Sequence, residues 1–248
     1  GSQPMISKNG KWIVVFNGCI YNFSELRIEL QSKGVAFNSE TDTEVIVEGL
    51  ALYGTNFIER LNGMFAIGAY NTDTQEIFLS RDRFGIKPLY YWFNGDTLCF
   101  SSEIKAIIEH PDYSIDVDLD ALNEYFTFQN VFSFNTLFKG VTMLPPANTV
   151  KINASSKFVK HDSWWDYDFS KPDNSMTFED AKEETSRLFK NAVTKQMIAD
   201  VPVGSYLSGG MDSGSITAIA SFCISFNALI FNFAKISSCA FMLFAILL

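Results

Sequence analysis

The chain has 248 residues, 47% hydrophobic and 19% charged, with a formal net charge of -9. That size and balance suit one large domain or two ordinary ones around a real core, and exclude extended disorder outside the ends. The acidic balance excludes non-specific binding to nucleic acid or to an anionic membrane face, yet permits a nucleotide held by backbone N–H groups.

The apolar run Trp12-Ile13-Val14-Val15-Phe16 predicts a buried strand that stops in a turn at Asn17-Gly18. Ser24 is the expected cap of a first helix carrying Leu26 and Leu30, closed by Lys33-Gly34. Thr41-x-x-Glu44 is a capping-box pattern for a second helix, with Val45, Ile46, Gly49, Leu50 and Tyr53 along one side and an end near Gly54. Strands are expected over 64–70, 76–80, 89–93 and 97–101, the last two joined by a hairpin at Asn94-Gly95. Antiparallel strands with inserted helices make this half α+β.

Residues 112–176 read as the remainder of that domain and a connection. They include Leu144-Pro145-Pro146-Ala147, a short hairpin of 149–152 against 158–161, and Trp164-Trp165, expected to pack between domains. Thr177 caps a long helix with Ala181, Leu188, Phe189, Ala192, Val193 and Met197 at helical spacing, ended by Pro202. Then come a short strand over 203–207, the run Ser208-Gly209-Gly210-Met211-Asp212-Ser213 and a helical 214–221, the order that begins an α/β nucleotide-binding fold. Residues 222–248 carry no acid and one base, Lys235, and their unbroken apolar stretch, 239–248, is far short of the roughly 20 residues a bilayer crossing needs. A tail read out of frame and a membrane-associated tail both stay open, and neither is catalytic.

Between a buried strand and a helix start, the glycines Gly209 and Gly210 let the backbone approach a pyrophosphate. The hydroxyls of Ser208 and Ser213 and successive N–H groups supply donors, and Asp212 could hold an accompanying Mg²⁺. A P-loop ending in Gly-Lys-Ser/Thr is excluded. A plain serine-glycine turn is the competing reading. Cys19, Cys99, Cys223 and Cys239 form no C-x-x-C pair and only His110 and His161 accompany them, so neither a zinc site nor a disulfide framework is expected. Gly1-Ser2-Gln3-Pro4 is neither basic nor apolar, which argues against a signal peptide and for a reducing cytoplasm.

The Ser208–Ser213 run, preceded by Asp200-Val201-Pro202-Val203-Gly204 and Leu207, resembles the pyrophosphate loop of ATP pyrophosphatases. Those enzymes cleave ATP to AMP and pyrophosphate while adenylating a carboxylate. Several further motifs, in order, resemble the glutamine-hydrolysing asparagine synthetase family, a class II amidotransferase joined to such a domain. They are Gly1-Ser2-Gln3-Pro4-Met5, Phe16-Asn17-Gly18-Cys19-Ile20-Tyr21-Asn22, Thr41-Asp42-Thr43-Glu44-Val45-Ile46, Leu61-Asn62-Gly63-Met64-Phe65-Ala66, Arg81-Asp82-Arg83-Phe84-Gly85-Ile86-Lys87-Pro88-Leu89-Tyr90-Tyr91 and Ser101-Ser102-Glu103-Ile104-Lys105-Ala106.

The resemblance implies an N-terminal-nucleophile hydrolase-like sandwich (αββα) over 1–111 and part of 112–176, the start of an α/β ATP-binding domain over 177–221, and an atypical apolar tail over 222–248. It implies asparagine biosynthesis: ammonia from glutamine amidates aspartate, with ATP and Mg²⁺ as cofactors and a homodimer as the assembly. Asn17 (side chain) and Gly18 (backbone N–H) would form the oxyanion hole, with Asn17, Gly18, Cys19 and Asp42 holding glutamine. Leu207, Ser208, Gly209, Gly210, Asp212 and Ser213 would hold ATP. On the bland side, Asn17-Gly18 can be a plain turn and Asp42 a helix-start charge, while Arg81-Asp82-Arg83 more plausibly braces the pocket than does chemistry. The family has glutamate where this chain has Cys19, and a mid-chain cysteine lacks the α-amine that activates an amino-terminal nucleophile, so Cys19 is expected to be a small half-buried thiol. The chain reads as a piece of such a protein, starting inside a family motif, and by itself is expected to hydrolyse no glutamine. The alternatives are a related enzyme amidating another carboxylate, such as a sugar acid or a β-lactam precursor, and a non-catalytic remnant.

Overall fold

The computed structural model describes residues 2–153, 155–172, 175–199, 203–223 and 243–246. The chain divides into two compact units, Gly1–Asp168 and Phe169–Leu248.

In the first unit, β1 (Met5–Ile6), β2 (Trp12–Ile20), β3 (Gly63–Asn71), β4 (Glu76–Arg81), β8 (Asn148–Asn153) and β9 (Val159–Ser163) form one sheet in the order β1-β2-β3-β4-β8-β9, every pair antiparallel. Strand alternation sorts its two faces. Trp12, Val14 and Ile20 of β2 share one face with Phe65, Ile67 and Ala69 of β3 and Phe78 of β4. Covering them are α1 (Phe23–Ser32), α2 (Asp42–Tyr53) and a 3-10 helix (Gly54–Arg60), which bring Leu26, Leu30, Ile46, Leu50, Phe57 and Ile58. Each such side chain contributes about 2 kcal/mol when fully buried.

The opposite face, with Ala66, Leu79, Val150 and Ile152, packs on a second sheet of β6 (Leu98–Ser101), β5 (Tyr90–Phe93) and β7 (Thr142–Met143). Gly68 allows this approach, because a Cβ there would lie 2.3 Å from the Phe100 ring. The outer face of the second sheet buries Trp92 and Val141 against Ile107 of α3 (Ile104–Ile108). Helix, sheet, sheet, helix is the expected αββα sandwich. One further helix, α4 (Leu119–Phe128), follows α3.

Some local expectations need correction. Asn17-Gly18 is no turn: β2 runs straight through it, with Asn17 opposite Ala66 and Gly18 opposite Phe65. The glycine serves close packing instead, since a Cβ on Gly18 would lie 2.1 Å from the Met64 carbonyl oxygen. Ser24 lies inside α1, whose N-cap is Asn22. The Asn22 carboxamide donates to the Arg60 carbonyl and accepts from the Asn62 N–H, so it ties the helix start to the 3-10 helix. Thr41 does cap α2, accepting from the Glu44 N–H at 3.3 Å, and Gly54 ends the helix at φ +65°. Only half the box forms, because the Glu44 carboxylate turns to Asn38 and Ser39. Within the first unit Trp164 stacks on Phe65 at 6.1 Å, with the Arg83 guanidinium 4.8 Å above it.

In the second unit, α5 (Phe178–Gln196) starts with a full capping box between Thr177 and Asp180. Pro202, its expected terminator, lies outside the described residues. β10 (Gly204–Leu207) leads through Ser208-Gly209-Gly210 into α6 (Met211–Cys223). The partner of β10 among the described residues is β11 (Leu243–Ile246), and that pair is antiparallel.

Candidate functional site

Antiparallel pairing makes alternate residues of β2 turn their N–H and C=O toward β3, and the residues between turn them to the opposite edge. Three observations fix which is which. The Phe16 N–H donates to Gln3 Oε1 at 2.7 Å, the Ile20 N–H donates to Asp42 Oδ2 at 3.1 Å, and Ser7 N–H donates to the Trp12 carbonyl at 2.9 Å. Even-numbered residues therefore face away from β3. Gly18 sits between two occupied positions with its own N–H on that open edge, and no group among the described residues takes it. The structure thus leaves one main-chain donor available where the strand is otherwise capped by side chains.

Asn17 is exposed on β2, and its Nδ2 donates to Ser102 Oγ at 3.0 Å, just beyond the end of β6. That bond spans from the six-stranded sheet to the three-stranded one. Beside it lies a cleft of about 200 Å³ lined by Gln3, Phe16, Asn17, Phe100 and Ser102 among others. Gln3 seals one wall, since its carboxamide accepts from the Phe16 N–H and donates to the Phe16 carbonyl at 2.9 Å, as a paired strand would.

Asp42, the first residue of α2, uses one carboxylate oxygen on Ile20 and so ties the helix start to the end of β2. Its carboxylate and the helix N-terminus lie at the same place, where negative charge is favoured. Cys19 is half-buried opposite Met64. Burial, then the neighbouring Cys19 and Asp82, push the Tyr21 phenol above its ordinary pKa.

Arg81 and Asp82 brace this region. Buried Asp82 accepts from four backbone amides, those of Phe65, Phe84, Ile86 and Lys87, at 3.0–3.1 Å. The Arg81 guanidinium donates to the carbonyls of Gly85, Lys87 and Leu144, and burial lowers its pKa. Arg83 clamps the carbonyls of Glu59 and Leu61.

In the second unit, Ser208, Gly209 and Gly210 are exposed at the N-terminus of α6, after half-buried Leu207. Ser213 closes the loop: its hydroxyl donates to the Gly210 carbonyl at 3.1 Å, accepts from the Ser208 N–H at 3.2 Å and lies 3.0 Å from Ser208 Oγ. Gly209 has φ +87°, and a Cβ built on it meets nothing within 4 Å. An open backbone concavity at a helix start fits a phosphate chain. Asp212 is exposed in the first turn of α6, and no cluster of three His, Cys, Asp or Glu occurs among the described residues. A Mg²⁺ here would therefore draw most of its oxygens from phosphates and water, its usual habit.

The structure brings Asn17, Gly18, Cys19 and Asp42 together around the end of β2, and Leu207 to Ser213 around the second loop. Gln3 and Ser102 also belong to the site, and both stand in runs that resemble the family, at Gly1–Met5 and Ser101–Ala106. The signal for them is spatial: each becomes visible only when Phe16 and Asn17 are known to lie on an open strand edge.

The glutamine amidotransferase domain family matches residues 1–165, and the asparagine synthase family matches 184–236. Asparagine synthetase (glutamine-hydrolyzing) 3 of Bacillus subtilis is 36% identical over 224 residues, covering 89% of this chain and 36% of the relative. A putative asparagine synthetase (glutamine-hydrolyzing) of Mycobacterium bovis is 35% identical over 215 residues, covering 85% and 33%. The chain thus spans about a third of the length of the curated relatives it matches. Among solved structures, the glutamine phosphoribosylpyrophosphate amidotransferase of B. subtilis aligns over 90% of this chain and 47% of its own, at 18% identity and a TM-score of 0.47. The chain belongs to the glutamine amidotransferase domain family, and asparagine synthase sequence follows that domain at residues 184–236.

Proposed function

We propose that the first unit is the glutamine-hydrolysing half of an asparagine synthetase, and that the second begins the half that uses ATP to amidate aspartate. The observation that carries this reading is the Gly18 N–H left open between two occupied edge amides, beside the Asn17 carboxamide. Two donors so placed suit the negative oxygen of a tetrahedral intermediate, each worth about 3 kcal/mol in such reactions. Asp42, at the end of the same strand, keeps a carboxylate oxygen for the α-ammonium of glutamine, and backbone near Cys19 lines the substrate. Cys19 is not the nucleophile, because a mid-chain residue has no α-amine to take its proton.

Leu207, Ser208, Gly209, Gly210, Asp212 and Ser213 form the ATP site. Backbone amides and hydroxyls hold the phosphates, and Asp212 meets an accompanying Mg²⁺. When bound, ATP supplies the adenylyl group that activates the aspartate carboxylate for attack by ammonia. No helix among the described residues is long and apolar enough to cross a membrane, which accords with a cytoplasmic site of action. A homodimer is the assembly the family likeness supports.

The test is to assay the protein expressed from its complete gene. Glutamine and aspartate with Mg-ATP should give asparagine, AMP and pyrophosphate. Asn17→Ala should lower the glutaminase kcat about 100-fold while synthesis from free ammonia persists. Unchanged glutamine hydrolysis in that variant, or a product other than asparagine, would overturn the proposal.

A further inference from the structure

From the geometry we infer that Ser102 is a positioning residue for glutamine hydrolysis: its hydroxyl anchors the Asn17 carboxamide in the cleft. The inference rests on the oxyanion-hole reading of Asn17 and adds a residue to it.

A carboxamide is nearly symmetric in shape but opposite in charge at its two ends. On an exposed strand position such as Asn17, a half-turn about the last side-chain bond exchanges a donor for an acceptor at little steric cost. An acceptor oxygen turned toward a developing oxyanion would repel it, so the hole needs the side chain held with an N–H outward. Ser102 Oγ provides the anchor, accepting from Asn17 Nδ2 at 3.0 Å from just beyond the end of a strand of the other sheet. With one N–H of the planar amide committed to that oxygen, the second N–H points in a fixed direction, about 120° away. The position of Ser102 is itself secured. β6 pairs with β5 up to Ser101, whose hydroxyl accepts from the Glu103 N–H at 3.2 Å, and the Ile104–Ile108 helix begins immediately after. Both serines line the cleft with Asn17. Ser102 touches neither the reacting carbon nor the oxyanion in this arrangement and acts through Asn17 alone.

The experiment is a double-mutant cycle in the protein expressed from its complete gene, reading glutaminase kcat and KM together with ammonia-dependent asparagine synthesis. Ser102→Ala should lower the glutaminase kcat about tenfold, the worth of one neutral hydrogen bond. The KM for glutamine and the ammonia-dependent rate should hardly move. Ser102→Thr, which keeps the acceptor oxygen, should restore most of the lost rate. In an Asn17→Ala background, Ser102→Ala should cost nothing further, because its only route of action is gone. If Asn17→Ala lowers kcat and Ser102→Ala does not, or if the two losses simply multiply, the positioning role is wrong while the oxyanion hole stands. If Asn17→Ala itself has no effect, the oxyanion-hole reading fails first. Should Ser102→Ala not fold, Ser102→Cys, a poor acceptor, takes its place with the same outcomes.

Discussion

Glu44 and Glu48 stand one turn apart on α2, each only 6% exposed, and their pKa values move in opposite directions. Burial pushes both up. For Glu44 it is outweighed by hydrogen bonds from Ser39 Oγ and the amides of Asn38 and Ser39, helped by Lys8, so the carboxylate titrates below its ordinary 4.5. For Glu48 burial wins, because the Lys8 N–H and charge oppose it alone and the Glu44 charge adds to it.

The two residues therefore give stability opposite slopes against pH on either side of 4.5. The contribution of Glu44 is fully present above 4.5 and is lost as pH falls through its depressed folded pKa. The penalty of ionising Glu48 is absent below 4.5 and grows as pH rises toward its raised folded pKa. Glu48→Gln, which keeps an acceptor for Lys8, should make the protein more stable at pH 7 and flatten the slope above 4.5. Glu44→Gln should destabilise at pH 7 and flatten the slope below it. Urea unfolding between pH 3 and 8 measures both, and a Glu48→Gln variant less stable than the parent at pH 7 would contradict the assignment.

Asp82→Asn tests the brace under the site. The carboxylate offers only acceptors to four amides, whereas an asparagine has one oxygen and turns an NH₂ group toward the remaining donors. The loss should be about 3 kcal/mol or more, as for a buried charge-assisted network left half satisfied. Chemical denaturation gives the value, and a change below about 1 kcal/mol would show that the loop finds other acceptors.

Gly18→Ala separates close packing from backbone conformation. Its new methyl would meet the Met64 carbonyl at 2.1 Å and Phe65 Cα at 2.8 Å, both main-chain atoms of a central strand. We expect a loss above about 3 kcal/mol or failure to fold. Gly10→Ala is the contrast, with φ +73° and nothing within 4 Å, and should cost only about 1–2 kcal/mol. Similar losses in the two variants would remove the packing argument.

Much of the first unit is legible in the residues because local and tertiary demands agree there. Thr41 and Gly54 bound α2 as their chemistry requires, and Asn94-Gly95 turns where two aromatic strands must meet. The reading failed where a residue answers a distant partner. Gly18 looks like half of a turn, yet its missing side chain makes room for β3, 45 residues later. Asn22, not Ser24, starts α1 because Arg60 and Asn62 hold its carboxamide. Of the site, residue types and order were visible in Asn17, Asp42 and the Ser208–Ser213 run. Gln3 and Ser102 were not, because strand pairing and sheet stacking decide what they touch.

The last prediction concerns the loop before α6, where the fold and the proposed ligand would make different demands on one glycine. Gly209 has φ +87°, and a built Cβ touches no atom within 4 Å, so the protein itself leaves that space empty. Gly209→Ala should cost the fold about 1–2 kcal/mol of backbone strain, yet place a methyl where, on the proposed reading, phosphate oxygens would approach the amides. In the protein expressed from its complete gene, its affinity for Mg-ATP should fall at least about tenfold, because donors held off by a methyl lose their short contact. Gly214→Ala, inside α6 and also without neighbours, is the control, since alanine favours the helix by about 1 kcal/mol and leaves the loop alone. Asp212→Asn should weaken the Mg²⁺ dependence of binding while retaining the affinity that the backbone provides. Calorimetry across the three variants distinguishes these effects. Equal affinity in Gly209→Ala and the parent would mean that the phosphates bind elsewhere, and that the open concavity is only a turn between β10 and α6.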